Sequence, residues 1–97
     1  MNLEQLRTAG AFVTLDPVKV PITWNENSFD VHVRRLAFGD VERLMAEGSK
    51  SSASLIAASI LLGDDLQSIS IEDAGRLDVS LAGKLLEAIN EVNAAKN

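Results

Sequence analysis

His32 is the only histidine in the chain, and histidine is the side chain best suited to proton transfer or metal ligation near neutral pH. Catalysis would require a nucleophile or acid beside it, and a metal site would require further ligands. Residues 29–35 alternate, with Phe29, Val31 and Val33 on one side and Asp30, His32 and Arg34 on the other. That is the period of a half-buried strand, and it predicts a surface histidine on the polar face. Arg34 and Arg35 are candidates for an anion or carboxylate contact with a partner. Successive strand residues point to opposite faces, so the two guanidinium groups do not form one fork. One is expected in solvent and the other laid over the hairpin or paired with an acid. The acidic pairs Asp64-Asp65 and Glu72-Asp73 lack EF-hand spacing, and Gly63 precedes the first pair rather than following it. Loop solubility and helix capping account for them.

Two further stretches imitate chemical motifs and fail on particular residues. Gly83-Lys84 resembles the end of a phosphate loop. Asp78 stands where the first glycine belongs, however, and Leu85 where a magnesium-binding Ser or Thr belongs. Asp78-Val79-Ser80-Leu81 resembles the Asp-Ser-Leu attachment site of acyl carrier proteins, but Val79 separates the aspartate from the serine. The chain has no cysteine, which removes disulfides, thiolate metal sites and cysteine nucleophiles. What remains is contact chemistry. Trp24 and Phe38 are the bulky aromatics nearest the join between sheet and helices, and such residues dominate interface hot spots.

The elements that must position these residues follow from periodicity. Asn2 to Ala9 reads as a short helix capped by Asn2 and ended by Gly10. Ala11 to Leu15 is apolar and fit to dock on the body, and Asp16-Pro17 marks a turn. Val18 to Trp24 alternates, and Pro21 makes it an edge strand because proline donates no ladder hydrogen bond. Asn25 to Ser28 is a polar turn, and Phe29 to Arg35 is the returning strand of a hairpin. The first body helix runs from Gly39 or Asp40 to Glu47, with Gly48 as its stop. A serine among residues 49–52 caps a second helix, Ala53 to Leu62, rich in Ala and Ser. Ser70 caps a short helix reaching Leu77, with Asp73 reaching back as in a capping box. Asp78 caps the last helix, Val79 to Ala94, whose stripe of Leu81, Ala82, Leu85, Leu86, Ile89 and Val92 is amphipathic.

Length and composition bound the class. Ninety-seven residues predict one domain, residues 1–97, with the hairpin at 18–35 and a helical body at 39–94. Aromatics are 4% of the chain, so the core must be built from Leu, Ile, Val and Ala. The net charge is −5, the wrong sign for displacing counterions from nucleic-acid phosphates. The N-terminus has no positive region followed by an apolar run, and Leu55 to Leu62 is too short to span a bilayer. The expectation is a cytoplasmic protein with no nucleic-acid or membrane partner. The fold class expected is α+β, mainly α, with a small β-hairpin packed on a bundle of roughly three to five short helices.

Four stretches in order carry a resemblance. They are Leu-x-x-Leu-Arg-x-Ala-Gly-Ala-Phe at Leu3 to Phe12, Lys19-Val20-Pro21-Ile22-Thr23-Trp24, Val31 to Gly39, and Leu81 to Asn93 ending Ala-Ile-Asn-Glu-Val-Asn. Together the chain resembles the tail assembly chaperones of long-tailed bacteriophages and prophages. It departs from the family at Val79, where proline is expected after the aspartate, and at Ala37, where serine is frequent. The resemblance implies a non-enzymatic, cofactor-free protein of the host bacterial cytoplasm. It implies binding to the tape measure protein, which is kept soluble while tail tube subunits polymerise around it, and departure before the virion is complete. It also implies a mainly helical fold, self-association, and a longer frameshifted product that engages the tail tube protein. Ala95-Lys96-Asn97 is encodable as GCA-AAA-AAC, which contains a −1 slippery heptamer in register. The protein-binding residues expected are Trp24, Arg34, Arg35, Phe38, Leu81, Leu85, Ile89 and Val92. The alternative reading is a small cytoplasmic adaptor or regulatory module that binds a partner through its helical face.

Overall fold

The computed structural model describes residues 1–13, 16–46 and 52–93. Among them the elements run α1 (Leu3–Thr8), β1 (Val18–Trp24), β2 (Asn27–Val33), α2 (Phe38–Ala46), α3 (Ser52–Ser59), β3 (Ile60–Leu62), β4 (Gln67–Ser68), α4 (Ile71–Gly75) and α5 (Val79–Asn93). The strands form one antiparallel sheet in chain order, β1-β2-β3-β4. Several sequence expectations fall wholly or partly outside the described residues: Leu15, the helix end at Glu47 with its stop at Gly48, the capping serines Ser49 and Ser51, the end of the last helix at Ala94, and the terminal Ala95-Lys96-Asn97.

The β1–β2 hairpin closes more tightly than its polar turn predicts. Asn27 and Ser28 already pair with Trp24 and Thr23, which leaves a two-residue turn. Asn25 and Glu26 take φ of 50° and 68°, the double left-handed geometry of a type I′ turn, whose twist matches the strands it joins. Asparagine tolerates that geometry, whereas glutamate bears a steric penalty of about 1 kcal/mol.

The expected architecture, a hairpin on a bundle of helices, is replaced by a four-stranded sheet with helices layered on one face. The difference arises at Ile60-Leu61-Leu62, read from the sequence as the end of a helix. The helix stops at Ser59, and the next three residues pair with β2, Ile60 opposite Val33 and Leu62 opposite Val31. A short apolar run does not distinguish a buried helix turn from a buried strand by period alone. Here the free edge of β2 decides, because unpaired strand N–H and C=O groups are costly to bury. Arg34 N–H continues the ladder to the Ser59 carbonyl at 2.8 Å.

The core lies between the sheet and the helices. Ile22, Val31, Val33 and Ile60 meet Ile56 of α3, Ala74 of α4 and Leu85, Ala88, Ile89 and Val92 of α5. Aliphatic packing dominates, as the scarcity of aromatics requires. The opposite face of the sheet carries Lys19 and Asp30, joined by a 3.9 Å ion pair. His32 lies on this open face, half-buried between Lys19 and Leu61 of the neighbouring strands.

The two N-terminal helices stand apart from this core. No residue of α1 is buried, and none of the described side chains of α2 belongs to the core cluster. The radius of gyration is 14.5 Å and the extents are 47 × 30 × 26 Å, more open than the ~13 Å of a compact chain of this length. α1 is held by local chemistry instead. Asn2 and Gln5 form a reciprocal capping box. Gly10, at φ 87°, allows the Ala11 N–H to reach the Leu6 carbonyl and its own N–H the Arg7 carbonyl, a Schellman closure that favours glycine.

Candidate protein-binding surface

The loops and helix ends around α5 decide which of the expected residues are free to touch a partner. At its start, Asp78 accepts the Ser80 N–H at 3.0 Å and the Ser80 hydroxyl. Ser80 Oγ in turn accepts the Trp24 indole N–H at 2.8 Å. These bonds hold the Asp78 carboxyl below its usual range, the Ser80 hydroxyl contributing most, then the backbone N–H of Ser80. Trp24 is therefore half-buried and fastened to the first turn of α5. The serine of the imitation carrier motif serves as a strut between hairpin tip and helix.

At the other end, the Arg35 guanidinium donates to the Val92 carbonyl at 3.0 Å. The Leu36 N–H donates to Asn93 Oδ1 at 2.8 Å. The first satisfies a backbone carbonyl in the last turn of the helix, where a cation complements the negative end of the dipole, and the second gives the Leu36 amide its acceptor. The two arginines separate as the alternation predicts. Arg34 is exposed, and Arg35 is half-buried over α5. Sequence reasoning did not find Asn93, whose partners are 57 and 59 residues away.

The α5 stripe faces inward. Leu85, Ile89 and Val92 are 2%, 3% and 7% exposed, and Leu81 is half-buried against the same core. Burying such side chains removes them from water at roughly 1.5–3 kcal/mol each, so in this folded state their surface is committed to the sheet.

Phe38 has the opposite placement. It opens α2 and is 78% exposed. The helix start beneath it is tied by Asp40, whose Oδ2 accepts the Ala37 N–H at 2.9 Å and which pairs with Arg43. The Asp40 carboxyl is lowered from its usual value chiefly by the Ala37 N–H, with Arg43 adding to it. Val41, one turn on, is also exposed. The sequence reading missed Val41 as a surface residue because its helical spacing with Leu44 matches that of a buried stripe. Phe12, Ile71 and Val79 add further exposed apolar groups. Phe12 lies under the Arg7 guanidinium, 5.4 Å from the ring centre.

The exposed apolar groups of α2, with Phe12, Ile71 and Val79, offer contact surface. His32 has no nucleophile or acid bonded to it, and its Nδ1 is buried without a hydrogen-bond partner. Among the described residues no group of His, Cys, Asp or Glu is placed to hold a metal ion, and no helix is long and apolar enough to cross a membrane. In comparison with known proteins, the model of a family described as phage tail assembly chaperone matches residues 4–93. No curated protein and no solved structure gives a significant match.

Proposed function

The chain belongs to the phage tail assembly chaperone family, and from that premise we propose that it binds the tape measure protein through the exposed apolar side of α2. The observation that carries the reading is Phe38, an aromatic left 78% exposed at the start of a helix none of whose described side chains belongs to the core cluster. A tape measure protein is expected to be a long, apolar, helix-prone chain. An amphipathic helix with an unburied apolar side suits such a client, whose own helices can lie against it. Arg34, just before α2, extends the proposed surface as an exposed cation, whereas Trp24, tied to Ser80 at the far end of α5, is a separate contact point at the hairpin tip. Leu81, Leu85, Ile89 and Val92 act indirectly, by fixing the sheet on which that surface is mounted.

In this reading residues 1–97 form one domain that works without a cofactor in the host bacterial cytoplasm, keeps the client soluble, and is absent from the finished virion. Self-association repeats the surface along the client, which raises avidity without new contacts. The tail tube protein is engaged by a longer frameshifted product. Nucleic acid and membrane have no part in it, and the role is non-enzymatic.

Co-expression with the tape measure protein tests the reading. The client should be insoluble alone, soluble with this chain, and recovered with it on affinity purification. Phe38→Ser should abolish recovery while leaving the chaperone folded. A client that remains insoluble, or that binds Phe38→Ser equally well, overturns the α2 assignment.

A further inference from the structure

A second surface lies along the free edge of β1, apart from α2. The two-residue turn makes Trp24 and Asn27 a hydrogen-bonded pair, and such pairs alternate along an antiparallel ladder. Ile22, Val20 and Val18 therefore bond to β2, while Lys19, Pro21 and Thr23 turn their backbone groups outward. The ladder on the far side of β2 agrees in phase, since Arg34 bonds Ser59. Pro21 thus costs the sheet no hydrogen bond. The free edge exposes carbonyls at Lys19, Pro21 and Thr23, but N–H groups only at Lys19 and Thr23. An edge left open at two donors and missing the middle one admits an added strand but weakens pairing with an arbitrary one.

α5 runs beside this edge. Trp24 is tied to Ser80 at one end of the helix and Arg35 to Val92 at the other. Over that distance the helix rises about 18 Å, against about 20 Å for the length of β1. Between them is a cleft of about 310 Å³, lined by residues 20–23 on one side and by Lys84, Glu87, Ala88 and Glu91 on the other. Glu87 and Glu91 are one turn apart on the same rim, and neither has an ion-pair partner among the described residues. Like charges at this spacing cost a helix a few tenths of a kcal/mol.

We propose that this cleft receives an extended, basic segment of a partner polypeptide, added to β1 as a further strand. Side chains on one face of a strand repeat every ~6.7 Å, and Glu87 and Glu91 are ~6 Å apart along the helix. Lys or Arg at alternate positions of the segment therefore meets the two carboxylates in step. Lys84, a turn earlier, repels a third cation and fixes the register. The backbone edge supplies attachment, and the rim supplies selection for positive charge.

The test is titration of the isotopically labelled full chain with a blocked peptide of alternating Lys and Thr, followed by amide shifts. Saturable shifts are expected at Lys19, Thr23 and residues 87–91. Glu87→Gln with Glu91→Gln should weaken binding about tenfold, and both sites are exposed, so the fold is retained. A matching peptide with Glu for Lys, or one with alternate backbone amides N-methylated, should not bind there. The proposal is overturned if no saturable shift appears at ~1 mM peptide, if the double variant or the N-methylated peptide binds equally well, or if the shifts centre on Asp64-Asp65 and Glu72-Asp73. None of these results depends on the identity of the α2 client, and Phe38→Ser should bind the peptide normally.

Discussion

The guanidinium of Arg35 donates to the backbone carbonyl of Val92, 57 residues later in the chain. A residue just past the end of a strand thereby closes the end of the last helix. Arg35→Ala should lower stability by about 1–2 kcal/mol, the loss of a charge-assisted hydrogen bond at a helix C-terminus. Arg34→Ala, at an exposed position, should stay within about 0.5 kcal/mol of wild type. Urea denaturation of the two variants side by side measures the contrast.

Asp78 makes the start of α5 sensitive to acid. Its carboxyl is held below the usual value by the Ser80 hydroxyl, then by the Ser80 N–H. A group with a folded pKa below its unfolded one contributes stability that is complete above the unfolded value. That contribution is lost as pH falls through the folded one. The contribution of Asp78 should therefore be level from neutral pH down to about 4 and fall below it. Asp78→Asn should be less stable than wild type at pH 7, with a smaller difference at pH 3, as read from thermal melts. Ser80→Ala should also lower the wild type's acid sensitivity and release the Trp24 indole, a change visible in the fluorescence of the single tryptophan.

Glu26 occupies a backbone position that favours glycine, at φ 68°. Glu26→Gly should raise stability by about 0.5 kcal/mol, the steric relief exceeding the entropy that glycine adds to the unfolded chain. It also completes the Asn-Gly pair preferred by type I′ turns. A lower denaturation midpoint for this variant would contradict the turn geometry.

Leu85 and Phe38 should behave as opposites. Leu85→Ala opens a void at a side chain 2% exposed and should cost about 2–5 kcal/mol. Phe38→Ala removes a side chain that touches mainly water and should shift stability by less than about 0.5 kcal/mol. Calorimetry separates the two, and only the second variant isolates a binding defect from a folding defect.

Much of the fold is legible in local sequence. The alternation of Val18, Val20, Ile22 and Trp24 gives β1 with the bounds observed, and Pro21 places it at the sheet edge. Asn2 and Ser70 announce the helices they cap, although Asp73 does not return the bond that a full capping box requires. The last helix is legible from its stripe, which states that Leu85, Ile89 and Val92 are apolar. It does not state whether a sheet or a partner covers them, because that depends on what lies opposite. Ile60-Leu61-Leu62 is opaque for a related reason: its strand character comes from the open edge of β2, far away in sequence. The Trp24–Ser80 and Asn93–Arg34 bonds join residues 56 and 59 apart, and no local pattern encodes either partner. The exposed Phe38 and Val41 belong to an amphipathic pattern that reads the same whether its apolar side is covered or bare.

The late position of α5 has a consequence for synthesis. Trp24 and Arg35 both find their partners more than fifty residues later, at Ser80 and Val92. At translation rates of about 5–20 residues per second, the hairpin leaves the ribosome roughly 3–11 seconds before the helix that covers Ile22, Val31 and Val33. Throughout that interval the part of the apolar face that α5 covers is without its lid on the nascent chain. The domain cannot complete its native lid until the final turns of α5 are released, so folding is completed near the end of the matched segment, and a ribosome that stops short of Val92 carries a core that only α3 and α4 have begun to cover.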